Sequence, residues 1–533
     1  MATLSLSRPH GLAVGGARLV HGLDYKWQVL LCTVFGTFMI MLDSTIVNIA
    51  LPKITSVFGV GVGEAQLVVT SYMLALAVIM PATGYLGDTL GTKRLYLITM
   101  ALFTGGSLLC GLAWSNPSLV AFRVVQGLGG GMMSPLGMTM LFKAVPPRER
   151  NAVMGVYGLP VILAPVLGPT VGGYLVEYVD WRVIFTLNVP VGVVGIFLGW
   201  KLLRESERIP GLKFDVPGFL LSAVAFSSLL LGLSDAPSDG WTAPHILFRL
   251  GLGTASLIAW VVVELKASEP LLELRLFSNG PFSLSMLISF VLTAGLFGSQ
   301  LLVPLFLQSF RGLGAAETGL ITMWGALALA PMMPLAGRLM DRVGLRPLLL
   351  VGLPLVAATT WLFSGLDVST SDGTLRWWLV LRSFALGLVM MPSFTAAMNA
   401  APMHLMSRAS SLTNVFRQVF GAFGTALFVS ILQSRQKFHA ALVQQTVTPD
   451  NLPLHQLMSA TQQWMLSHGG TAVQAQAAGM MAVVQRVQLT ASVMAFDDVF
   501  RIAALITVLG IVPALFLRTT KPAAGGGRPV LAD

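Results

Sequence analysis

"GYLGDTLGTK", Gly84 to Lys93, returns later in the chain as "GRLMDRVGLR", Gly337 to Arg346. Gly84, Leu86, Asp88, Gly91 and Lys93 align with Gly337, Leu339, Asp341, Gly344 and Arg346. Each copy follows a long apolar run. One run later each is joined by an arginine in apolar surroundings, "FRVVQGLGGGMM" around Arg123 and "LRSFALGLVMM" around Arg382. Two motifs repeated in one order mark an internal duplication. Parallel repeats of this kind are an architecture of secondary transporters, with the substrate site near the membrane midplane between the halves.

The composition agrees with a membrane setting. The chain has 533 residues, 55% hydrophobic and 11% charged, with mean hydropathy +0.77, which is too apolar for an ordinary soluble domain. A spanning helix needs about 20 apolar residues, and about fourteen such stretches can be placed. They begin near Trp27, Ala65, Leu95, Ser118, Ala152, Val183, Val216, His245, Phe282, Thr318, Pro347, Trp377, Ser411 and Val499. The expected fold is an all-α membrane protein. Its parts are an N-terminal tail (1–26), a first bundle of six helices (27–201), two inserted helices (202–269), a second bundle of six (270–518) and a C-terminal tail (519–533). The inserted pair is inferred because the second motif copy follows the tenth run, not the eighth.

Charge distribution sets an expected orientation. The net charge is +10, but with both termini inside, the inner loops and tails hold roughly 21 Lys and Arg, the outer loops about 9 and the spans about 3, the positive-inside bias. Clusters such as "KAVPPRER" and "KLLRESERIPGLK" then read as topology signals and contacts for membrane lipids, not as a nucleic-acid surface. The N-terminal stretch lacks the apolar core of a signal peptide. Cys32 and Cys110 fall in predicted spans and read as packing residues. Residues 434–498 form one long outer segment, polar with helical apolar spacing and a turn at "VTPDNLP". It reads either as an amphipathic hairpin on the membrane surface or as a docking element for an outside partner.

Charges inside a span are costly, and those that persist mark cavities, partners or ion pathways. Four stand out: Asp43, in "FMIMLDSTIVNIALP", Arg123, Arg382 and Arg417. Asp43 reads either as a proton carrier or as a carboxylate permanently paired with an arginine. Asn48 follows as a polar cavity group, and Pro52 is expected to end that helix. Gln126 shares a helix face with Arg123, and "GLGGG" beyond it permits close backbone approach. Asn414, Arg417, Gly421 and Gly424 form one stripe. "GLPVILAPVLGPTVGGYL" carries small residues at Ala164, Gly168 and Gly172, a close-packing pattern. In the repeated loops, Asp88 and its counterpart suit a latch made in one of two conformations. There is no GxxxxGK[ST] phosphate loop, no GxSxG elbow and no HExxH pair, so neither direct ATP drive nor an enzyme nor a metal site is supported.

"LDSTIVNIALP", "GYLGDTLGTKR", "RVVQG", "LAPVLGPTVGGYL", "WRVIFTLNVPVG" and "SLTNVFRQVFGAFGTA", in this order, resemble the fourteen-span drug:proton antiporters of the major facilitator superfamily, the EmrB/QacA branch. The long outer segment and the ending look closer to EmrB-type pumps of Gram-negative inner membranes. The resemblance implies that Asp43 is a membrane-embedded acid and that Arg123 is an arginine linked to proton transfer. From the residues themselves, a substrate cavity is expected to draw on Asp43, Asn48, Gln126, Asn414 and Arg417. The inner-loop gate would be Gly84, Asp88, Gly91 and Lys93, with Gly337, Asp341, Arg342, Gly344 and Arg346 in the second copy. Gly168, Pro169, Gly172 and Gly173 match the antiporter motif. Thr89 and Thr92 depart from the gate pattern, which has basic residues there, and Leu67 replaces a common Trp.

The expected function is export of hydrophobic or amphipathic drugs by alternating access, driven by the proton gradient with no cofactor. The expected setting is a bacterial inner membrane, with a periplasmic adaptor and an outer-membrane channel as partners. The alternatives are an exporter of one endogenous metabolite such as a siderophore, and a receptor or scaffold that transports nothing.

Overall fold

The computed structural model describes residues 24–147, 149–445 and 452–517. The tails before residue 24 and after residue 517, and residues 446–451 of the predicted outer turn, lie outside the described residues. The described chain is helical, without strands. The first bundle comprises α1 (Tyr25–Phe58), α2 (Val62–Ile79, continued by a 3-10 turn and Thr83–Leu90), α3 (Thr92–Gly111) and α4 (Asn116–Ala144). It is completed by α5 (Arg150–Tyr157 and Leu159–Tyr178) and α6 (Val183–Thr186 and Asn188–Leu202). The inserted hairpin is α7 (Val216–Asp239) and α8 (Pro244–Lys266). The second bundle contains α9 (Gly280–Phe310), α10 (Ala315–Val343), α11 (Leu345–Leu362), α12 (Asp372–Ala400) and α13 (Met406–Gln444). After α14 (Leu452–Ser467), α15 (Ala472–Leu509) closes it. Among the described residues, 11 helices are long and apolar enough to cross a membrane by themselves. The chain is a multi-pass membrane protein, and the remaining predicted spans, α4, α5 and α9, occupy places inside the same two bundles.

Below, the face where α1 begins is called proximal and the opposite face distal. The bundles meet chiefly through α5 against α10 and through α2 and α4 against α13, while α7 lies across α2 and α13. The inserted hairpin therefore packs along one seam and leaves the α5–α10 seam to the original halves.

Two elements differ from the sequence expectation. Pro52 does not end α1, which runs to Phe58 and stops where Gly59 adopts φ 63°, its N–H donating to the Thr55 carbonyl. A proline removes one helical hydrogen bond but not those beyond it, whereas the left-handed glycine stops the helix outright. The helix that carries the final span does not start near Val499 either, because α15 begins at Ala472, capped by the Thr471 hydroxyl. Its Gln- and Ala-rich opening has good helix propensity and no proline before the apolar run, so one helix carries both. Much of the predicted outer segment is thus the distal ends of α13 and α15, with α14 packed on α15.

The glycines of α4 position the buried polar site. A Cβ at Gly127 or Gly131 would stand 2.8 or 2.6 Å from the carbonyls of Tyr72 and Leu76 on α2. One at Gly129 would stand 2.6 Å from the Thr99 carbonyl on α3. The "GLGGG" run therefore clamps α4 between two helices at backbone contact. We predict that Gly129→Ala lowers stability by about 1–3 kcal/mol, the usual cost of overpacking. Gly105→Ala on α3, where a Cβ meets nothing within 4 Å, leaves it unchanged; melting of the purified protein in detergent reads the difference.

Candidate functional site

Asp43 of α1 is 0% exposed and Arg123 of α4 is 1% exposed. Arg123 Nη1 reaches Asp43 Oδ2 at 2.5 Å. The other carboxylate oxygen accepts from Gln126 Nε2 at 2.8 Å and from Asn188 Nδ2 of α6 at 3.1 Å. Gln126 also donates to Ser107 Oγ of α3 at 2.7 Å and accepts from Arg123 Nη1 at 2.7 Å. Arg123 Nε donates to the Val68 carbonyl of α2, and its guanidinium lies 3.9 Å from the Tyr72 ring centroid. Five helices of the first bundle thus close around one ion pair. The contacts compensate much of what removing two charges from water costs. Arg123 holds three neutral partners besides the carboxylate: an amide oxygen, a main-chain carbonyl and an aromatic face. It can keep its charge here whether Asp43 is ionised or protonated.

The small-residue stripe of α5 packs against α1 just beyond Asp43. Gly168 faces Thr45 and Gly172 faces Ile46, where a side chain would collide with either, and the Ala164 carbonyl accepts from Thr45 Oγ1 at 3.4 Å. Gly173 points into open space and lies off this contact. Pro169 sits within α5, and its side chain lies outside the described residues. The other side of α5 packs on α10 of the second bundle.

The repeated loops make matching contacts with the opposite half. Gly91 and Gly344 share one backbone shape, φ 90° and 86°, which only glycine adopts without strain. Gly84 lies against the backbone of Arg408 on α13, and Gly337 against the backbone of Asn151 on α5. Asp88 Oδ1 accepts from Ser407 Oγ at 2.8 Å, and Asp341 Oδ1 accepts from Asn151 Nδ2 at 2.5 Å. Each copy therefore gives a glycine for close approach and an acid that accepts a hydrogen bond from the start of a helix in the other half. Arg150 adds bonds to Asn399 and Met403, and Ser410 Oγ donates to the Pro135 carbonyl. Among the described residues these links hold the proximal face shut.

Lys93 works differently from its counterpart. Its ammonium donates to the Trp200 carbonyl at 2.7 Å, within its own half. The linker after α6 supplies further pairing: Glu205 accepts from the main-chain N–H of Lys93 and Arg94, and Ser206 Oγ from that of Thr92. A carboxylate at a helix N-terminus is favourable, and here it ties the linker to the first gate loop. Arg342 is exposed and Arg346 half-buried.

Asn414 and Arg417 lie together on α13, with Arg417 Nη2 donating to Asn414 Oδ1 at 3.0 Å and Ser134 Oγ of α4 donating to the same oxygen at 3.1 Å. Arg417 lines a cavity with Gly158 from the first half and Met, Phe, Ser and Thr side chains from α9, α10, α12 and α13. Asp43 and Gln126 belong to the separate cage inside the first bundle. Asn48 is exposed and donates to the Ser44 carbonyl of its own helix at 3.1 Å. Arg382 is buried, with its guanidinium 5.2 Å from the Phe363 ring. The sequence reading did not single out Asn188, Ser107, Asn151, Ser407 or Glu205. A lone amide in the apolar run "TLNVPVG" was a usable sign for Asn188, but a serine or asparagine at a helix start carries no such mark.

Comparison with known proteins follows the geometry. The family model described as Major Facilitator Superfamily matches residues 33–425. The MFS-type transporter YhcA of Bacillus subtilis is 33% identical over 93% of each chain. The probable multidrug resistance protein EmrY of Escherichia coli is 30% identical over 94% of this chain and 97% of that one. Among solved structures, the proton:xylose symporter XylE superposes with TM-score 0.55 at 14% identity, covering 93% of this chain and 97% of that one, a likeness of fold alone. The two bundles, the doubled loop motif and these relatives lead to one conclusion: the chain belongs to the major facilitator superfamily.

Proposed function

We propose that this transporter exports hydrophobic or amphipathic small molecules across a bacterial inner membrane in exchange for protons, with both termini in the cytoplasm. The observation that carries the proposal is the caged Asp43–Arg123 pair, whose arginine has neutral partners ready if the acid takes up a proton. Similarity to a protein named for probable multidrug resistance supports the drug-efflux class.

In this reading Asp43 carries the proton and Arg123, Gln126 and Asn188 hold it in place. Protonation removes the negative charge and leaves Arg123 on Gln126, the Val68 carbonyl and Tyr72. Separation of α5 from α1 at Gly168 and Gly172 opens a route to the acid. The gate loops, closed here, part when the inner side opens, and the substrate occupies the cavity beside Asn414 and Arg417. One proton moving down a potential of about 100 mV releases roughly 2.3 kcal/mol, enough to concentrate a neutral solute about fiftyfold. No cofactor takes part in this scheme. The distal helical region around Gln444 to Gln488 docks a periplasmic adaptor, which in turn meets an outer-membrane channel. Exposed Trp464, Val473, Met480 and Met481 give that region an apolar surface.

Three outcomes test these roles. Asp43→Asn abolishes uphill efflux from energised proteoliposomes while the protein still folds and binds substrate; a variant that exports against a gradient at the wild-type rate removes Asp43 as carrier. Gly337→Val, which drives a side chain into the Asn151 backbone, widens the proximal face. Spin labels at Arg94 and Arg346 then report a longer distance than in the parent, and an unchanged distance contradicts the gate. Deleting residues 452–467 abolishes co-purification of a periplasmic adaptor co-expressed with the transporter, and retained association and efflux rule the docking role out.

A further inference from the structure

Arg417 belongs to the long helix α13. It lies 11 residues into α13, counting from Met406, or about 16 Å along the axis of a helix that crosses roughly 30 Å of hydrocarbon. Its guanidinium meets Asn414 Oδ1 at 3.0 Å and the Phe394 ring at 5.7 Å. Neither partner carries a negative charge, in contrast to Arg123, whose carboxylate sits beside it. A guanidinium has five N–H donors, and the amide oxygen of Asn414 is shared with Ser134.

The cavity that receives Arg417 is otherwise apolar, with Met286, Met333, Met390 and Met391 around Phe394 and Phe420. Flexible methionines adapt to ligands of varied shape. Three hydroxyls, of Ser289, Thr293 and Thr413, interrupt that wall. The Ser289 oxygen is buried with no hydrogen-bond partner among the described residues. The cavity thus combines one cation, an unsatisfied hydroxyl and an adaptable apolar wall, and among the described residues no acidic side chain lines it.

We propose that Arg417 is the residue that sets charge preference, anchoring the carboxylate or another planar anionic head of an aromatic substrate. Ser289 donates to the same head, and the methionines hold the ring system. This inference rests on the proposed transport function and narrows it to organic anions. A guanidinium pairs bidentately with a planar anion, and in a low-dielectric cavity the preference over a neutral analogue is substantial. A lipophilic cation meets Arg417 as a like charge and is disfavoured.

The test uses the full-length protein in detergent without any gradient, with 1-naphthoate and its uncharged amide, 1-naphthamide, as probes of equal shape. The parent protein binds naphthoate about tenfold more tightly or better, and Arg417→Gln brings the ratio to within about twofold of unity. Arg417→Lys restores part of the preference. Ser289→Asp, which places a competing carboxylate in the cavity, removes the preference in a protein that retains Arg417. Equal binding of the two probes by the parent, absence of naphthoate binding, or a ratio that survives both Arg417→Gln and Ser289→Asp overturns the proposal. Because binding is read without a proton gradient, loss of coupling in energised vesicles bears on the transport reading alone.

Discussion

A carboxylate at the heart of a helical bundle must be compensated, and around Asp43 the first half of the molecule is arranged to do so. Arg123 and Gln126 come from one face of α4, Asn188 from α6, Ser107 from α3 and the Val68 carbonyl from α2. The helices can approach closely enough because α4 presents glycines to both neighbours. An uncompensated charge there is a heavy penalty, so a shift of any of these helices is felt at the pair. The site and the packing are therefore one design: the glycines bring the polar groups within reach, and the polar groups make that close packing specific.

The repeated loops express the same economy through pseudo-symmetry. Asp88 with Ser407 and Asp341 with Asn151 occupy corresponding seams, each with a glycine against the opposing backbone. Side-chain hydrogen bonds of this kind contribute modestly, about 0.5–1.5 kcal/mol each, which suits contacts that form and part in a transport cycle. The first copy has Thr89 where the second has Arg342. The linker compensates locally, with Glu205 and Ser206 bonded to the start of α3. This also fastens the inserted hairpin's leading connection to the gate loop.

Much of this was legible in the chain. The duplicated "G-x-L-x-D-x-x-G" loop disclosed two halves, and the lone charges in apolar runs disclosed Asp43, Arg123 and Arg417, because burial of charge is rare enough to be informative. What was not legible was which charges meet. Asp43 and Arg123 are 80 residues apart, and nothing local distinguishes Arg123 from Arg382 or Arg417 as its partner. The partners of the gate acids, Ser407 and Asn151, are common polar residues at helix starts. The helix ends at Pro52 and Ala472 escaped for a different reason: breakers and polar content are weak signals against the continuity of a long helix.

Proton flux in everted membrane vesicles is the most direct measurement of the central claim, that substrate movement is coupled to a proton carried within the first bundle. With an acid interior established and the energy source then stopped, adding a transported aromatic anion to vesicles bearing the protein should raise the internal pH faster than in vesicles lacking it, as protons leave in exchange. Substrate uptake with no accompanying change in internal pH, or uphill uptake that persists after the gradient is collapsed, would contradict the account.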